Sequence, residues 1–346
     1  FRAYPWKEFD LTVKQFRHRE RQKRLSPKIV NFGRESNELF WEMNLHAAAA
    51  YATHLLKARS TAGHGVHSPF MFRFITEVMG GRNDRTIITE VESLRREMLV
   101  DRREVRVRDL GAGSVVMGKG ERSVRKIAFA AAVPKRETAL LARIAGSLDK
   151  IRSGGAEIGH QSGVAGTGHR SGGSETGLGS EIGGTGHKSG EESEAVTLEL
   201  GTSLGISTLA LALGAPHRRV ISVEGCPEVA AIALENLRQH GAHNAEVLCM
   251  EFGEALALLR NRGTKVALAF IDGNHRGAAL TDYVHMIREM GEEMIIIADD
   301  IHMNRDMMHA WRSLQSGNLA PASLETLRMG MLFCLRNLTP GNYRVR

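Results

Sequence analysis

Cysteine is scarce in this chain of 346 residues: there are three, Cys226, Cys249 and Cys334, with no CxxC spacing. A disulfide framework and a cysteine-rich zinc site are both disfavoured, and the three read as reduced core thiols of a cytoplasmic protein. Long apolar runs are missing too. The best stretches, His46 to Leu56 and Ile127 to Val133, are too short or too polar for a bilayer, which takes about 18 consecutive apolar residues. No apolar signal core follows Phe1, so no export is expected, and the lack of an initiator Met suggests a processed or truncated start. Aromatics make up 5% of the chain, and no aromatic-interleaved stacking motif accompanies the basic residues.

What is present suffices for a core: 42% of residues are apolar and 25% charged, at a length that suits one large domain or two ordinary ones. The formal charge is +7, but residues 195–346 carry fourteen Lys and Arg against sixteen Asp and Glu, so the basic excess lies in the first half. The run Arg17, Arg19, Arg21, Lys23 and Arg24 reads as a solvated helix face or tail rather than a nucleic-acid site.

Residues 153–190 repeat with a period of nine: SGGAEIGHQ, SGVAGTGHR, SGGSETGLG, SEIGGTGHK, then SG. A calcium-binding β-roll needs an Asp in each turn, and this segment has none. Its Gly and Ser content predicts a disordered linker over 151–194, in which His160, His169 and His187 would lose too much chain entropy to gather a metal. The repeat separates two differently patterned halves. Residues 1–44 form a basic extension and 45–150 a mainly helical region, with helices expected over Asn37–Arg59, Ser68–Gly80, Ile88–Leu99, Ser123–Ala132 and Glu137–Leu148.

After the repeat, β-rich runs at Val196–Leu200, Val220–Glu224, Val247–Met250, Val266–Ile271 and Met294–Ala298 alternate with helical stretches. This alternation predicts an α/β, Rossmann-like, mostly parallel sheet, closed by an antiparallel hairpin of Ser323–Arg328 and Met331–Arg336. Ligands of such sheets bind beyond the carboxyl ends of the strands. There the chain reads Glu199-Leu-Gly201-Thr-Ser-Leu-Gly205-Ile-Ser207-Thr208, a glycine-rich turn opening a helix, and Glu224 ends the second strand 25 residues after Glu199. Glycine admits a ligand close to the backbone, the helix start offers free N–H groups, and an acid at Glu224 is placed to accept both ribose hydroxyls of an adenosyl ligand. A second acid-and-glycine turn, Asp109-Leu-Gly111-Ala-Gly113-Ser114, lacks a following strand that ends in an acid and reads as a loop of the helical half that could line the site.

The segments Glu199–Thr208, Glu224 and Phe270-Ile-Asp272-Gly-Asn274-His275 resemble class I S-adenosylmethionine-dependent methyltransferases of the catechol-type O-methyltransferase branch. With His64-Gly-Val-His67-Ser68-Pro69-Phe70, Asp109–Ser114 and Asp299-Asp300-Ile-His302, their order is similar to a bacterial family of such enzymes, over residues 45–150 and 195–346. The resemblance implies a cofactor site made of Glu199, Gly201, Thr202, Ser203, Gly205, Ser207, Glu224, Gly225, Gly253, Glu254 and Asp272. Within it, Gly201 and Gly205 would hold the methionine end, Glu224 the ribose, Gly253 and Glu254 the adenine, and Asp272 would lie beside the methyl donor. It further implies a divalent cation on Asp272, Asp299 and Asp300, whose hard oxygen ligands suit magnesium or calcium, with Asp300 where the branch has Asn. His275 stands where the branch places a lysine base, and a neutral imidazole accepts a hydroxyl proton near neutral pH more readily than an ammonium does. Asp272 and His275 are accordingly the expected catalytic pair.

These features point to a cytoplasmic methyltransferase that acts on an oxygen, or secondarily a nitrogen, of a small-molecule acceptor, with no membrane or nucleic-acid partner. The sequence leaves the oligomeric state, a homodimer included, open. Two other readings share some of the features. A nicotinamide-dependent oxidoreductase would use the same strand, loop and ribose acid, although its loop is ordinarily Gly-x-Gly-x-x-Gly. A non-catalytic cofactor-binding protein would engage RNA or protein through the basic front half. Blander roles also stand: Asp299 and Asp300 as caps of the next helix, and Ser68-Pro69 as a helix start.

Overall fold

The computed structural model describes residues 66–107, 120–157 and 195–345. The basic extension, His64, the Asp109–Ser114 turn and all of the nonapeptide repeat beyond Glu157 lie outside these residues.

Among the described residues, Ser68 caps the first helix, α1 (Pro69–Arg73), by accepting a 3.4 Å hydrogen bond from the Met71 N–H, with Pro69 at the first helical position. The Ser68-Pro69 pair is thus explained as a helix start. Ser68→Ala is expected to cost about 1 kcal/mol of stability, readable as a lowered urea midpoint at unchanged slope. The helix continues as a π-helical stretch, Phe74–Met79, and is followed by α2 (Arg85–Val100), a two-stranded antiparallel ribbon β1 (Glu104–Val107) and β2 (Gly120–Ser123), α3 (Val124–Ala131) and α4 (Lys135–Glu157). The last helix runs five residues into the repeat, beyond the expected linker boundary.

The second half alternates as its β-rich and helical runs predict. In order come β3 (Val196–Leu200), α5 (Ile206–Gly214), β4 (Val220–Glu224), α6 (Pro227–Gln239), β5 (Ala245–Cys249) and α7 (Phe252–Asn261). Then follow β6 (Val266–Ile271), α8 (Gly277–Arg288), β7 (Met294–Ala298), α9 (Arg305–Ser316), β8 (Ala322–Glu325), β9 (Gly330–Cys334) and β10 (Gly341–Arg344). These strands form one eight-stranded sheet in the order β10-β8-β9-β7-β6-β3-β4-β5, in which only the β7–β9 and β8–β9 pairs are antiparallel. The expected hairpin is present, but it is not the edge: β10 pairs in parallel with β8 outside it.

Alternation along the strands buries both faces of the sheet. Leu268, Phe270, Ile295, Ile297 and Phe333 face one apolar cluster, and Ala269, Ile271, Ile296 and Leu332 face the other. The front-half helices belong to the first cluster. Phe70 and Phe74 meet the Phe333 ring edge-on at 5.7 and 4.8 Å, a geometry that favours the ring quadrupoles. Where α4 crosses α5, a Cβ on Gly146 would fall 2.6 Å from the Gly214 carbonyl oxygen, so the two helices touch backbone to backbone. All three cysteines are free; Cys226 and Cys334 are buried, whereas Cys249 is exposed and is no core thiol. No helix among the described residues is long and apolar enough to cross a membrane.

Candidate functional site

Sheet order brings the site together. The chain leaves β3 for β4 and β5 on one side and returns to β6 and β7 on the other, so β3 and β6 are neighbours at the point where strand order reverses. Register then aligns their ends. Leu200 pairs with Val223 and with Ile271, and Ile271 pairs with Ala298. The next residues, Gly201, Glu224, Asp272 and Asp299, therefore emerge side by side, and the Asp272 N–H donates to the Leu200 carbonyl at 2.8 Å.

Three non-glycine residues in the left-handed region lie in loops at this end: Ser203 (φ 47°) after β3, Asn274 (φ 52°) after β6 and Asp300 (φ 51°) after β7. Each such conformation costs about 1–3 kcal/mol and persists where the surroundings impose it, commonly around ligand sites. Gly201 is more constrained still: it has φ 108°, and a Cβ there would run into the Asp272 carbonyl.

The glycine loop is braced from behind. Glu199 is fully buried, and its Oε2 accepts hydrogen bonds of 2.5 Å from the hydroxyls of Thr208 and Ser222. Thr202 Oγ1 lies 2.5 Å from Ser222 Oγ in the same chain of hydroxyls. Burial pushes the Glu199 carboxyl up to about 7, against the opposing effect of these hydroxyl donors, with the nearby Glu224 charge adding to the rise. Glu199 thus supports the loop from inside the core. Glu224, half-buried, accepts from the Ser203 N–H and the Cys226 N–H, each at 2.9 Å. It ties the loop to the end of β4, with Gly225 next to it. A small cavity lies over the loop, lined on the sheet side by Gly201, Thr202, Ser203, Ser207 and Asp272 and roofed by Ala128, Ala132 and Val133 of the front half. Gly205 has φ 84° and starts α5, while Gly253 and Glu254 form the first turn of α7 beyond β5.

At the ends of β6 and β7 the charges crowd. Burial, then the charges of Asp299 and Asp300, raise the Asp272 carboxyl well above the ordinary carboxylate range, and burial with the Asp299 charge raises Asp300. His275 Nδ1 is buried and makes no hydrogen bond, while the residue's carbonyl accepts from Asn304 Nδ2 at 3.2 Å. Neither Asp299 nor Asp300 caps the next helix, because Asn304 does, accepting from the Met307 N–H at 2.8 Å.

Sequence reasoning missed Arg328. The residue was expected at the end of a strand, but it sits in the connection between β8 and β9, which folds back over the end of β7. Its Nε donates to both oxygens of the buried Asp299 at 2.8 and 3.0 Å, and its Nη2 to Asp299 at 2.7 Å and to Asp300 at 3.3 Å. Burial acts against its charge, but hydrogen bonding to Asp299 and the charges of Asp299, Asp300 and Asp272 more than offset this and raise its pKa. Three carboxylates without a partner were the one available hint that a cation had to come from elsewhere. The expected magnesium site is not supported: two of its three ligands are engaged by this guanidinium, and no group of three or more His, Cys, Asp or Glu among the described residues is arranged to hold a metal ion. Glu137, at the start of α4, lies within electrostatic range of the same group; burial raises it, the Arg328 charge opposes this and Asp299 reinforces it. His67 is exposed and caps nothing, and His302 packs at 4.0 Å from the buried Glu325.

No curated protein is significantly similar to this chain in sequence. Residues 198–301 match the family described as "Methyltransferase domain". Among solved structures, the chain is similar to the O-methyltransferase from Bacillus cereus in complex with SAH, at 18% identity over 40% of this chain and 73% of that one, with a TM-score of 0.35. It is likewise similar to cofactor-bound Rv0187 from MTB (25% identity, 40% and 73%, TM-score 0.34). The O-methyltransferase TomG from Streptomyces achromogenes, in complex with SAM, matches at 18% identity over 40% and 72%, with a TM-score of 0.34. The sheet has a Rossmann-like topology, and the match from Leu198 within β3 to Ile301 just past β7 supports an enzyme of the methyltransferase class.

Proposed function

We propose that the chain transfers a methyl group from S-adenosylmethionine to an oxygen of a small-molecule acceptor, in the cytoplasm. The observation that carries this reading is the loop Gly201–Ser207 at the reversal point of the sheet. Its left-handed backbone, the adjoining cavity and the half-buried acid of Glu224 make a cradle suited to an adenosyl ligand with a charged amino-acid end. Glycine at 201 lets the loop pack against the Asp272 carbonyl, Glu224 would accept from the ribose hydroxyls, and Gly253 and Glu254, in the first turn of α7, would face the adenine. When bound, this cofactor supplies a methyl group already activated on a sulfonium, so the protein has only to align the acceptor and take its proton. His275 Nδ1, buried and without a hydrogen bond, is the proposed proton acceptor, and Asp272, lining the cavity, orients the groups beside it. The cytoplasmic assignment rests on the three free cysteines.

Calorimetric titration with S-adenosylhomocysteine tests the reading, with NADH as the comparison. Wild type is expected to bind the former and not the latter. Glu224→Ala should weaken binding at least about 100-fold, since two hydrogen bonds to a carboxylate are each worth ~1.5–3 kcal/mol. Glu224→Gln, which retains an acceptor for the Ser203 N–H, should fall between them. NADH binding without S-adenosylhomocysteine binding would transfer the assignment to an oxidoreductase.

A further inference from the structure

We propose that Arg328 is a cation built into the chain in place of a divalent metal, and that it receives an acceptor presenting an anionic oxygen, a carboxylate or an acidic hydroxyl. The inference rests on the methyltransferase reading and deepens it by naming the acceptor class. The argument begins with charge. Asp272, Asp299 and Asp300 converge at the ends of two adjacent strands, and Asp299 is only 1% exposed; three carboxylates so placed require a positive partner. The Arg328 guanidinium is that partner, holding Asp299 through three hydrogen bonds and Asp300 through a fourth. A metal ion would need the same carboxylate oxygens. Its displacement of the arginine would leave a partly buried guanidinium without a counter-charge, and the arginine backbone is anchored, its carbonyl accepting from the Ile301 N–H at 3.1 Å.

The geometry also leaves the guanidinium a working face. Nε and Nη2 serve the aspartates, whereas Nη1 has no hydrogen-bond partner among the described residues, and the side chain is 30% exposed. Asp272 lines the cavity over the glycine loop and follows β6, the strand paired with β7, whose end carries Asp299, so the guanidinium held by Asp299 stands one strand over from the place where an acceptor must meet the methyl donor. A guanidinium donates in a fixed plane and binds oxyanions with directed hydrogen bonds. It therefore favours an acceptor oxygen that carries or is gaining negative charge, with His275 on the neighbouring loop to take the proton of an acidic hydroxyl.

The test uses the full chain and two probes. Mn2+ binding is read by electron paramagnetic resonance. Wild type and Arg328→Lys are expected to show no saturable site tighter than about 1 mM, the weak end of carboxylate cation sites, while Arg328→Met, with its carboxylates released, gains one ion per chain at least about tenfold tighter. A stoichiometric ion on wild type or on Arg328→Lys overturns the built-in cation even if Arg328→Met does not fold, and so does a folded Arg328→Met that takes up none. The acceptor class is read by titrating salicylate in EDTA. Binding to wild type should fall about tenfold or more in Arg328→Met, the worth of a charge-assisted hydrogen bond, and much less in Arg328→Lys. No saturable salicylate binding to wild type, or equal binding to all three proteins, overturns that half. S-adenosylhomocysteine binding on the same samples judges the methyltransferase reading separately, because the Mn2+ result does not depend on it.

Discussion

Gly201→Ala is expected to lose cofactor binding and to destabilise the fold by roughly 2–6 kcal/mol, from backbone strain of ~1–3 and steric overlap of a similar size. The position combines two demands. Its φ of 108° lies where an L side chain is strained, and the new methyl group would occupy the space of the Asp272 carbonyl. Relief requires β3 and β6 to part at the sheet's reversal point, where the Asp272 N–H to Leu200 carbonyl bond joins them. The loss is a large fraction of the ~5–15 kcal/mol that holds a typical domain together. Urea unfolding and S-adenosylhomocysteine titration check both parts. A variant within 1 kcal/mol of wild type that binds normally, on the scale of a tolerated Gly-to-Ala change of about 0.4–1 kcal/mol, would refute the close approach.

The second large effect is on pH. Burial raises the Glu199 carboxyl from 4.5 to about 7. Below pH 4.5 the group is protonated in both states, and its contribution is fully present. As pH rises toward 7 the unfolded chain releases the proton while the folded protein retains it, so stability falls by about 1.4 kcal/mol per pH unit, some 3 kcal/mol in all, and then levels off. Asp272, Asp300 and Glu137 are shifted in the same direction, and Asp101 and Asp149 in the opposite one, so the raw curve mixes several groups. Glu199→Gln isolates the one that matters, because its side-chain carbonyl still accepts from Thr208 and Ser222. The difference in unfolding free energy between wild type and this variant should shrink or reverse across that interval. A constant difference from pH 4 to 8 would mean that Glu199 keeps an ordinary carboxylate pKa, near 4.3.

Much of the second half was legible residue by residue. Val196–Leu200, Val220–Glu224, Val266–Ile271 and Met294–Ala298 are strands within the expected bounds, because strands buried on both faces appear as short apolar runs that end at an acid or a glycine. β2 and β10 were not expected. GERS and GNYR are four residues each with little apolar content, and they pair only because β1 and β8 offer an edge. The π-helical stretch Phe74–Met79 also gave no signal, since its apolar spacing is that of an ordinary helix and only the Gly80 N–H to Ile75 carbonyl bond marks it. The front half read as helical and nothing more. Its role as the cover of one sheet face depends on Phe70, Phe74 and Gly146 meeting Phe333 and Gly214, contacts between residues far apart in the chain.

The sequence by itself determined the glycine loop, the acid at the end of the second strand and the three aspartates, because each belongs to a strand end and its following turn. What those aspartates face was decided by the tertiary structure. Arg328 reaches Asp299 across 29 residues only when β8 and β9 fold back on β7, and a single arginine in a hairpin connection carries no local pattern that foretells it. Local sequence sets which groups stand at a strand end. Whether a buried cluster of like charge is balanced by an ion or by a side chain depends on which distant segment the packing brings over it.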